Sequence, residues 1–198
     1  VTLIERSGFL GGTAVTGLCL HTFHNAKGEK VVSGFPEELI GRLKEIGGTI
    51  GPVEIKNAHM RTTTPIDHEL MKYLLIKLMD ENKVELLLHS FASDVLTEGN
   101  KIETVIVETK SERRKIKADI VIDATGDGDI AAWAGVPYKK GREEDGLMQA
   151  MSLVYKMVNV NIDKALEHIG KGMAYVEKGK EGKICMWFSA DLDNYKDH

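Results

Sequence analysis

The sequence opens on a carboxylate followed by a glycine-rich loop, "VTLIERSGFLGGT". Alternating β-formers lead to Glu5, and the trio Gly11, Gly12 and Thr13 begins six residues later. A strand-terminal carboxylate can accept hydrogen bonds from both ribose hydroxyls, and it selects a 2′-OH over a 2′-phosphate. Paired glycines let backbone N–H groups approach a diphosphate, to which Thr13 adds a hydroxyl donor. The stretch predicts a dinucleotide-binding strand and loop; the alternative is a solvated strand end with an ordinary glycine turn.

A second candidate site lies in "IVIDATGDGD". The apolar run Ile120–Ala124 predicts a buried strand that ends in Ala124, Thr125 and Gly126. Small residues at the carboxyl edge of a parallel sheet leave room for a ligand crevice. A calcium loop counted from Asp123 would need a bidentate Glu where Ala134 stands, so no metal site is predicted.

Two histidines, His21 and His24, follow the glycine loop in "GLCLHTFHNAKG". An imidazole titrates near neutral pH, so either residue is a candidate to orient substrate or exchange a proton. The alternative is that both are ordinary polar loop residues. Cys19 and Cys185 lie far apart without metal-ligand spacing, which favours structural thiols in a reducing cytoplasm.

Helical patterns must position these residues. The stretch "GFPEELIGRLKEIGG" has Pro36 near its start and Gly47 just past its end, which predicts a helix. In "TPIDHELMKYLLIKLMDENK", Thr64 is the predicted cap, Pro65 the first helical residue and Asp67 the partner in a capping box. The stretch between these helices, "TIGPVEIKNAHMRTTTP", has no clear period and predicts a surface linker.

Strand patterns alternate with these helices. The apolar run "VELLLHS" predicts a strand covered on both faces, and Gly99-Asn100 predicts the turn of an antiparallel meander between Val95 and Lys117. The runs Val1–Ile4, Val84–Leu88 and Ile120–Asp123 are expected to lie parallel in one sheet. In the tail, "MQAMSLVYKMV" predicts a strand and "NIDKALEHIGKGMAYVEKG" a helix, as the start of a second domain.

Composition limits the function classes. The 198 residues are 42% hydrophobic and 28% charged, with a net charge of -4 and scattered basic residues. No apolar run approaches the roughly 20 residues that cross a bilayer. These features argue against nucleic-acid and membrane partners and favour a cytoplasmic protein with a small-molecule partner; they leave a homo-oligomer open.

Three stretches occur together in one order: "LIERSGFLGGTAVTGL", "DHELMKYLLIKLMDENKVELLLHSFASDVL" and "ADIVIDATGDGDIAAWAGVPYKKGREEDGLMQAMSL". Together they resemble a family of FAD-dependent oxidoreductases with a glutathione-reductase-like FAD fold. The resemblance implies an α/β fold: part of a Rossmann-like FAD-binding domain, with a parallel sheet and an antiparallel β-meander, and the start of a substrate-type domain. It also implies FAD as cofactor. The expected FAD-binding portion is 1–30 and 64–140, and the expected substrate or cap portion is 31–63 and 141–198.

The resemblance also implies roles for individual residues. The ribose would be bound by Glu5 with Arg6 beside it, and the backbone of Ala92 would contact the adenine edge. The remaining implied contacts to the diphosphate and flavin come from two loops: Gly11, Gly12 and Thr13, and Ala124, Thr125 and Gly126.

The implied reaction is hydride transfer between a small-molecule substrate and the flavin. In the family a GxGxxG unit precedes the strand that ends at Glu5, so the sequence is expected to be an internal or truncated portion. Without that loop we expect weak or absent FAD binding by this chain alone, and weak or no activity. The alternatives are a non-catalytic remnant of the fold and a nicotinamide-dependent Rossmann reductase.

Overall fold

The structure is a computed structural model that describes residues 1–18, 20–21, 23–25, 27–54, 62–149, 154, 159, 161, 164, 174–178 and 184–188. Cys19 lies outside the described residues. The chain forms two compact units. Unit 1 comprises Val1–Val15 and Lys72–Leu153, and unit 2 comprises Thr16–Met71 and Val154–His198. The domain boundaries expected from the sequence stay a prediction.

A parallel strand pair forms the start of unit 1. Strand β1 (Thr2–Ile4) pairs in parallel with β5 (Glu85–Leu87), with Thr2 opposite Glu85 and Ile4 opposite Leu87. The predicted parallel pairing of these two segments is confirmed. The predicted burial of β5 on both faces is wrong, because Glu85 is exposed and its neighbours are only half-buried. Among the described residues, this sheet has the two strands β1 and β5.

The predicted meander is also confirmed. Strands β6 (Phe91–Glu98), β7 (Lys101–Glu108) and β8 (Arg113–Ile116) form an antiparallel sheet in the order β6-β7-β8. Gly99, with φ 57°, makes the turn between the first two strands. The core of unit 1 lies on this sheet and contains Val95, Val105, Val107 and Ile130.

The third strand of the predicted parallel sheet does not form. Residues 118–124 belong to no strand. Ile120 is 81% exposed and Ile122 86% exposed, whereas Val121 packs against the unit 1 core. Within the described part of the chain, no backbone-to-backbone hydrogen bond joins residues 118–124 to another segment. The prediction of a buried strand at Ile120–Ala124 is therefore wrong, because a β-branched run becomes a strand only beside a partner.

Unit 2 combines one predicted helix with a small sheet. Helix α1 (Phe35–Glu45) has Pro36 in its first turn and Gly47 at φ 77° beyond its end, as predicted. Strands β2 (Leu20–His21), β3 (Val53–Glu54) and β4 (Thr62–Thr64) form an antiparallel sheet in the order β2-β4-β3.

This sheet corrects the prediction of a surface linker. Residues Thr62–Thr64 are all buried, and Thr64 is fully buried. Helix α2 (His68–Glu81) therefore begins later than predicted, and Thr64 lies in β4 instead of capping it. Asp67 supplies the cap, since its Oδ1 accepts the N–H groups of Glu69 and Leu70, each at 3.0 Å. Residues 55–61 of the predicted linker lie outside the described residues.

The described part of the tail forms an antiparallel hairpin in which β9 (Ala174–Lys178) pairs with β10 (Ile184–Phe188). The predicted helix "NIDKALEHIGKGMAYVEKG" is wrong over Ala174–Lys178, where a partner strand is present. Apart from Asn161 and Lys164, the rest of that stretch lies outside the described residues, as does most of "MQAMSLVYKMV". No helix in the described ranges has the length and apolar character needed to cross a membrane.

Candidate functional site

The carboxylate of Glu5 stands at the end of β1 and is held in a defined orientation. Its Oε1 accepts the N–H of Ser7 at 2.7 Å. Its backbone extends the parallel pairing, since Glu5 N–H donates to the carbonyl of Leu87 at 2.9 Å and Ser90 N–H donates to the carbonyl of Glu5 at 3.0 Å. Within the described residues Oε2 has no hydrogen-bond partner. One carboxylate oxygen thus orients the group and the other is available to a ligand.

The two glycines of the glycine-rich loop differ in their surroundings: Gly11 is closely packed, and Gly12 faces open space. A Cβ on Gly11, at φ 113°, would lie 2.7 Å from Val15 Cγ1 and 2.9 Å from Leu75 Cδ1, so this position requires glycine. Gly12, at φ 49°, begins a 3-10 turn, and a Cβ there would meet no described atom within 4 Å. Thr13 is exposed on the same turn. Gly12 therefore leaves its backbone open to a ligand.

The segment before Ala92 lies next to Glu5. Ala92 lies on β6, where it pairs with Val107 of β7 and is partly buried against the unit 1 core. The register of this pairing shifts between Ala92 and Asp94. The Ser90-to-Glu5 hydrogen bond joins the start of β6 to the end of β1. The structure thus brings the two predicted adenosine-binding segments together in unit 1, with Arg6 exposed beside them.

A second turn, in residues 123–131, is fixed by side chains. Asp123 Oδ1 accepts the N–H of Thr125 at 3.0 Å and its hydroxyl at 2.7 Å, while Oδ2 accepts the N–H of Ala131 at 2.8 Å. Thr125 Oγ1 in turn accepts the N–H groups of Gly128 at 3.1 Å and Asp129 at 3.0 Å. Of the three residues predicted here, Thr125 is already committed to this turn.

The other two members of this turn, Ala124 and Gly126, are exposed. Gly126 has φ 93°, and a Cβ on it would meet no described atom within 4 Å. Its backbone is therefore accessible, as that of Gly12 is. The sequence pattern placed Asp123 in a predicted strand, whereas in the structure its carboxylate organises the turn.

The charge state of Asp123 follows from this geometry. Burial alone would raise the pKa of its carboxyl, but hydrogen bonds from Thr125, Ala131 and Ile130 together outweigh burial and hold the pKa below the ordinary value of 3.8. Asp123 is thus an anion at neutral pH, and the three donors keep it in place.

The two candidate histidines belong to unit 2. His24 Nδ1 lies 3.3 Å from the hydroxyl oxygen of Thr62, and His24 forms a β-bridge with Lys30. His21 is in β2, opposite Thr63. Glu5 and the 123–131 turn belong to unit 1. Their roles as substrate-orienting groups stay predictions. Within the described residues, no group of three or more His, Cys, Asp or Glu could hold a metal ion.

One contact beside Glu5 gave no signal in the sequence. His89 follows β5 with φ 51°, and a Cβ on Gly8 would lie 2.8 Å from both Cε1 and Nε2 of its ring. His89 N–H donates to the carbonyl of Ser7 at 3.1 Å. Only the folded backbone reveals this contact, because the residues are far apart in the chain.

A parallel strand pair, antiparallel sheets and the helices α1 and α2 define a mixed α/β protein. The family model described as "FAD dependent oxidoreductase" matches residues 1–195, and the chain belongs to that family. The family identifies FAD as the cofactor.

Comparison with individual proteins gives less information about the chain than the family model does. None of the curated proteins matches the chain. Among solved structures, the chain is similar to Thermovibrio ammonificans THI4, with 14% identity and a TM-score of 0.43. The similarity covers 67% of this chain and 50% of that one, so the chain spans about half the length of the structure it matches.

The residues of unit 1 fit the adenosine and diphosphate portions of FAD. Glu5 offers an acceptor-only oxygen without a partner among the described residues, which is the chemistry that a ribose diol requires. Gly12 and Gly126 have positive φ and no described atom where a Cβ would stand, so their backbones can lie against a ligand.

Proposed function

We propose that this chain forms part of an FAD-dependent oxidoreductase and that its unit 1 binds the adenosine end of the cofactor. The observation that carries the proposal is the Glu5 carboxylate, fixed at the end of β1 by the Ser7 N–H with Oε2 facing no described partner. The family match supports the same cofactor. The whole protein would oxidise or reduce a small organic molecule by hydride transfer.

The proposed residue roles follow from the groups that each residue exposes. Glu5 Oε2 accepts the ribose hydroxyls, and Arg6 lies beside it as an exposed cation. Gly12 and Thr13 present backbone N–H and hydroxyl donors to the diphosphate. The backbones of Ala92 and Gly126 complete the set of proposed contacts in unit 1.

FAD, when bound, supplies the acceptor or donor of the hydride. The chain's own contribution is to bind and orient it. His24 and His21 are the proposed groups that orient substrate or exchange its proton, since an imidazole can do both near neutral pH. At His24, Thr62 is within hydrogen-bonding distance of Nδ1 only, so Nε2 is the ring nitrogen proposed to face substrate.

The proposal is tested by replacing Glu5 in the purified protein and measuring FAD affinity by calorimetric titration of the apoprotein. Each hydrogen bond to a charged group contributes about 1.5–3 kcal/mol, so Glu5→Ala should weaken FAD binding by at least about tenfold. Glu5→Gln keeps an acceptor for Ser7 N–H but loses the charge, so its affinity should be intermediate.

Glu98→Ala is the matched control, because Glu98 is an exposed carboxylate at the end of another unit 1 strand. It should leave FAD affinity unchanged. The titrations use the whole protein of which this chain forms part. Equal affinity in its wild type and its Glu5→Ala variant would contradict the proposal, as would a whole wild-type protein that binds no flavin.

A further inference from the structure

His89 has a backbone conformation that its position in the chain does not account for. Among the described residues, the non-glycine residues with positive φ are Lys83 at 53°, His89 at 51° and Asn159 at 57°. Lys83 follows the end of α2, where a left-handed residue is a common helix terminator. His89 instead follows a strand, so other contacts must hold it in a conformation that is sparsely populated for histidine.

Backbone hydrogen bonds on both sides of His89 hold this conformation. His89 N–H donates to the carbonyl of Ser7 at 3.1 Å, and Ser90 N–H donates to the carbonyl of Glu5 at 3.0 Å. The Ser90 hydroxyl also donates to the carbonyl of Leu88 at 3.0 Å. The segment 88–90 is therefore joined to residues 5–7, directly beyond the paired ends of β1 and β5.

The His89 ring lies against the one residue of this loop that can accept it. A Cβ on Gly8 would stand 2.8 Å from both Cε1 and Nε2 of His89, which is closer than real side chains approach. Gly8 itself directly follows Ser7, whose N–H orients the Glu5 carboxylate. The ring thus contacts the residue that follows Ser7, and Ser7 in turn donates to the carboxylate.

We propose that His89 is a positioning residue for the nucleotide site. Its ring holds the Ser7-Gly8 peptide so that Ser7 N–H stays on Glu5 Oε1 and Oε2 stays available to a ribose diol. The left-handed backbone at His89 is the conformation that brings the ring onto Gly8. This inference rests on the proposed function, since it assigns His89 a role through Glu5.

The inference predicts that His89 matters only through the Glu5 carboxylate. We expect His89→Gly to weaken FAD affinity about fivefold, because losing an ordered support lets the carboxylate sample other orientations. The substitution also relieves the left-handed backbone, so the melting temperature should be unchanged or higher. His89→Asn, which tolerates the same φ without the ring, should bind FAD as weakly as His89→Gly.

Two further variants address the ring contact itself. Gly8→Ala places a methyl where the ring lies and should weaken affinity as much as His89→Gly, although both Glu5 and His89 are retained. His89→Phe keeps a planar ring against Gly8 and should restore most of the affinity that His89→Gly loses.

A double-mutant cycle decides the matter. In the Glu5→Ala background, His89→Gly should cause no further loss of FAD affinity, whereas a general structural role would lower affinity equally in both backgrounds. If Glu5→Ala weakens binding and His89→Gly does not, or if the two effects simply add, this inference is overturned and the proposed function stands. If Glu5→Ala leaves affinity unchanged, both are overturned.

Discussion

Two segments of unit 1 have similar sequences, but only one of them forms a buried strand. In β7 the run "TVIVE" is buried, with Val105 at 6%, Ile106 at 4% and Val107 at 0% exposure. In residues 119–123 the run "DIVID" forms no strand, and Ile120 is 81% and Ile122 86% exposed. Strand β7 lies between β6 and β8, whereas no described strand pairs with residues 118–124.

This contrast separates strand propensity from strand formation. Both runs are rich in β-branched residues, so both favour an extended backbone. Only β7 has hydrogen-bond partners on both edges and side chains covered by a core. Ile120 and Ile122 therefore contribute little to stability in this structure. The segment is held by the packing of Val121 and by the hydrogen bonds of the Asp123 carboxylate.

The largest expected effect is at β7. Ile106→Ala should lower the free energy of unfolding by about 2–5 kcal/mol, because it removes a buried side chain and leaves a cavity. Denaturant titration followed by circular dichroism measures the change. A loss below about 0.5 kcal/mol would mean that β7 is not part of a packed core and would remove the basis of the comparison.

An intermediate effect is expected at Asp123. Asp123→Asn should cost about 1 kcal/mol at pH 7, the scale of a lost capping interaction. Since the folded pKa lies below 3.8, the contribution of the carboxylate is full above that pH and is lost as pH falls through the lowered folded pKa.

The difference between wild type and Asp123→Asn should therefore shrink as unfolding is measured at decreasing pH below 3.8. Asp119→Asn, at an exposed carboxylate of the same segment, serves as the control and should have little effect at neutral pH. A difference between wild type and Asp123→Asn that is the same at neutral and acidic pH would show that the ionised carboxylate does not anchor the segment.

The smallest effect should come from Ile122→Ala, the same substitution as in β7. With 86% of the side chain exposed, the change in the free energy of unfolding should stay within about 0.5 kcal/mol. The same denaturant titration applies. A loss comparable to that of Ile106→Ala would mean that Ile122 is covered in solution and that the two runs are alike after all.

Local patterns predicted the elements that depend on neighbouring residues. Helix α1 has its proline and glycine where the sequence places them, and the hairpin turns at Gly99. The start of α2 was predicted wrongly because Thr64 lies in β4 and pairs with Leu20 of β2. These residues are far apart in the sequence, so no local pattern contains the contact. The wrong prediction of a strand at Ile120–Ala124 has the same cause, since strand formation there depends on a pairing partner and not on the segment's own residues.

In the candidate site, too, features that depend on neighbouring residues could be predicted, and contacts between distant residues could not. Glu5 and Gly12 could be proposed from residue type and spacing, because a strand end and a glycine turn are local features. The orientation of the Glu5 carboxylate by Ser7 and the contact between His89 and Gly8 could not, since they arise where β1 and β5 meet. The hydrogen bonds of Thr125 with Asp123 are local, but an acidic cluster alone does not reveal which carboxylate accepts them.

The parallel pairing of β1 with β5 has a consequence for how the chain acquires its structure. Thr2 must find Glu85, whereas Glu98 and Lys101 of the hairpin are adjacent from the start. Closing the longer loop costs more chain entropy, so the hairpin can form early and the β1–β5 pair late. During synthesis, β1 leaves the ribosome before β5 does. The contacts among Glu5, Ser7 and His89 can therefore form only after β5 has been synthesised. The proposed nucleotide site is thus assembled after the meander that supports it has begun to form.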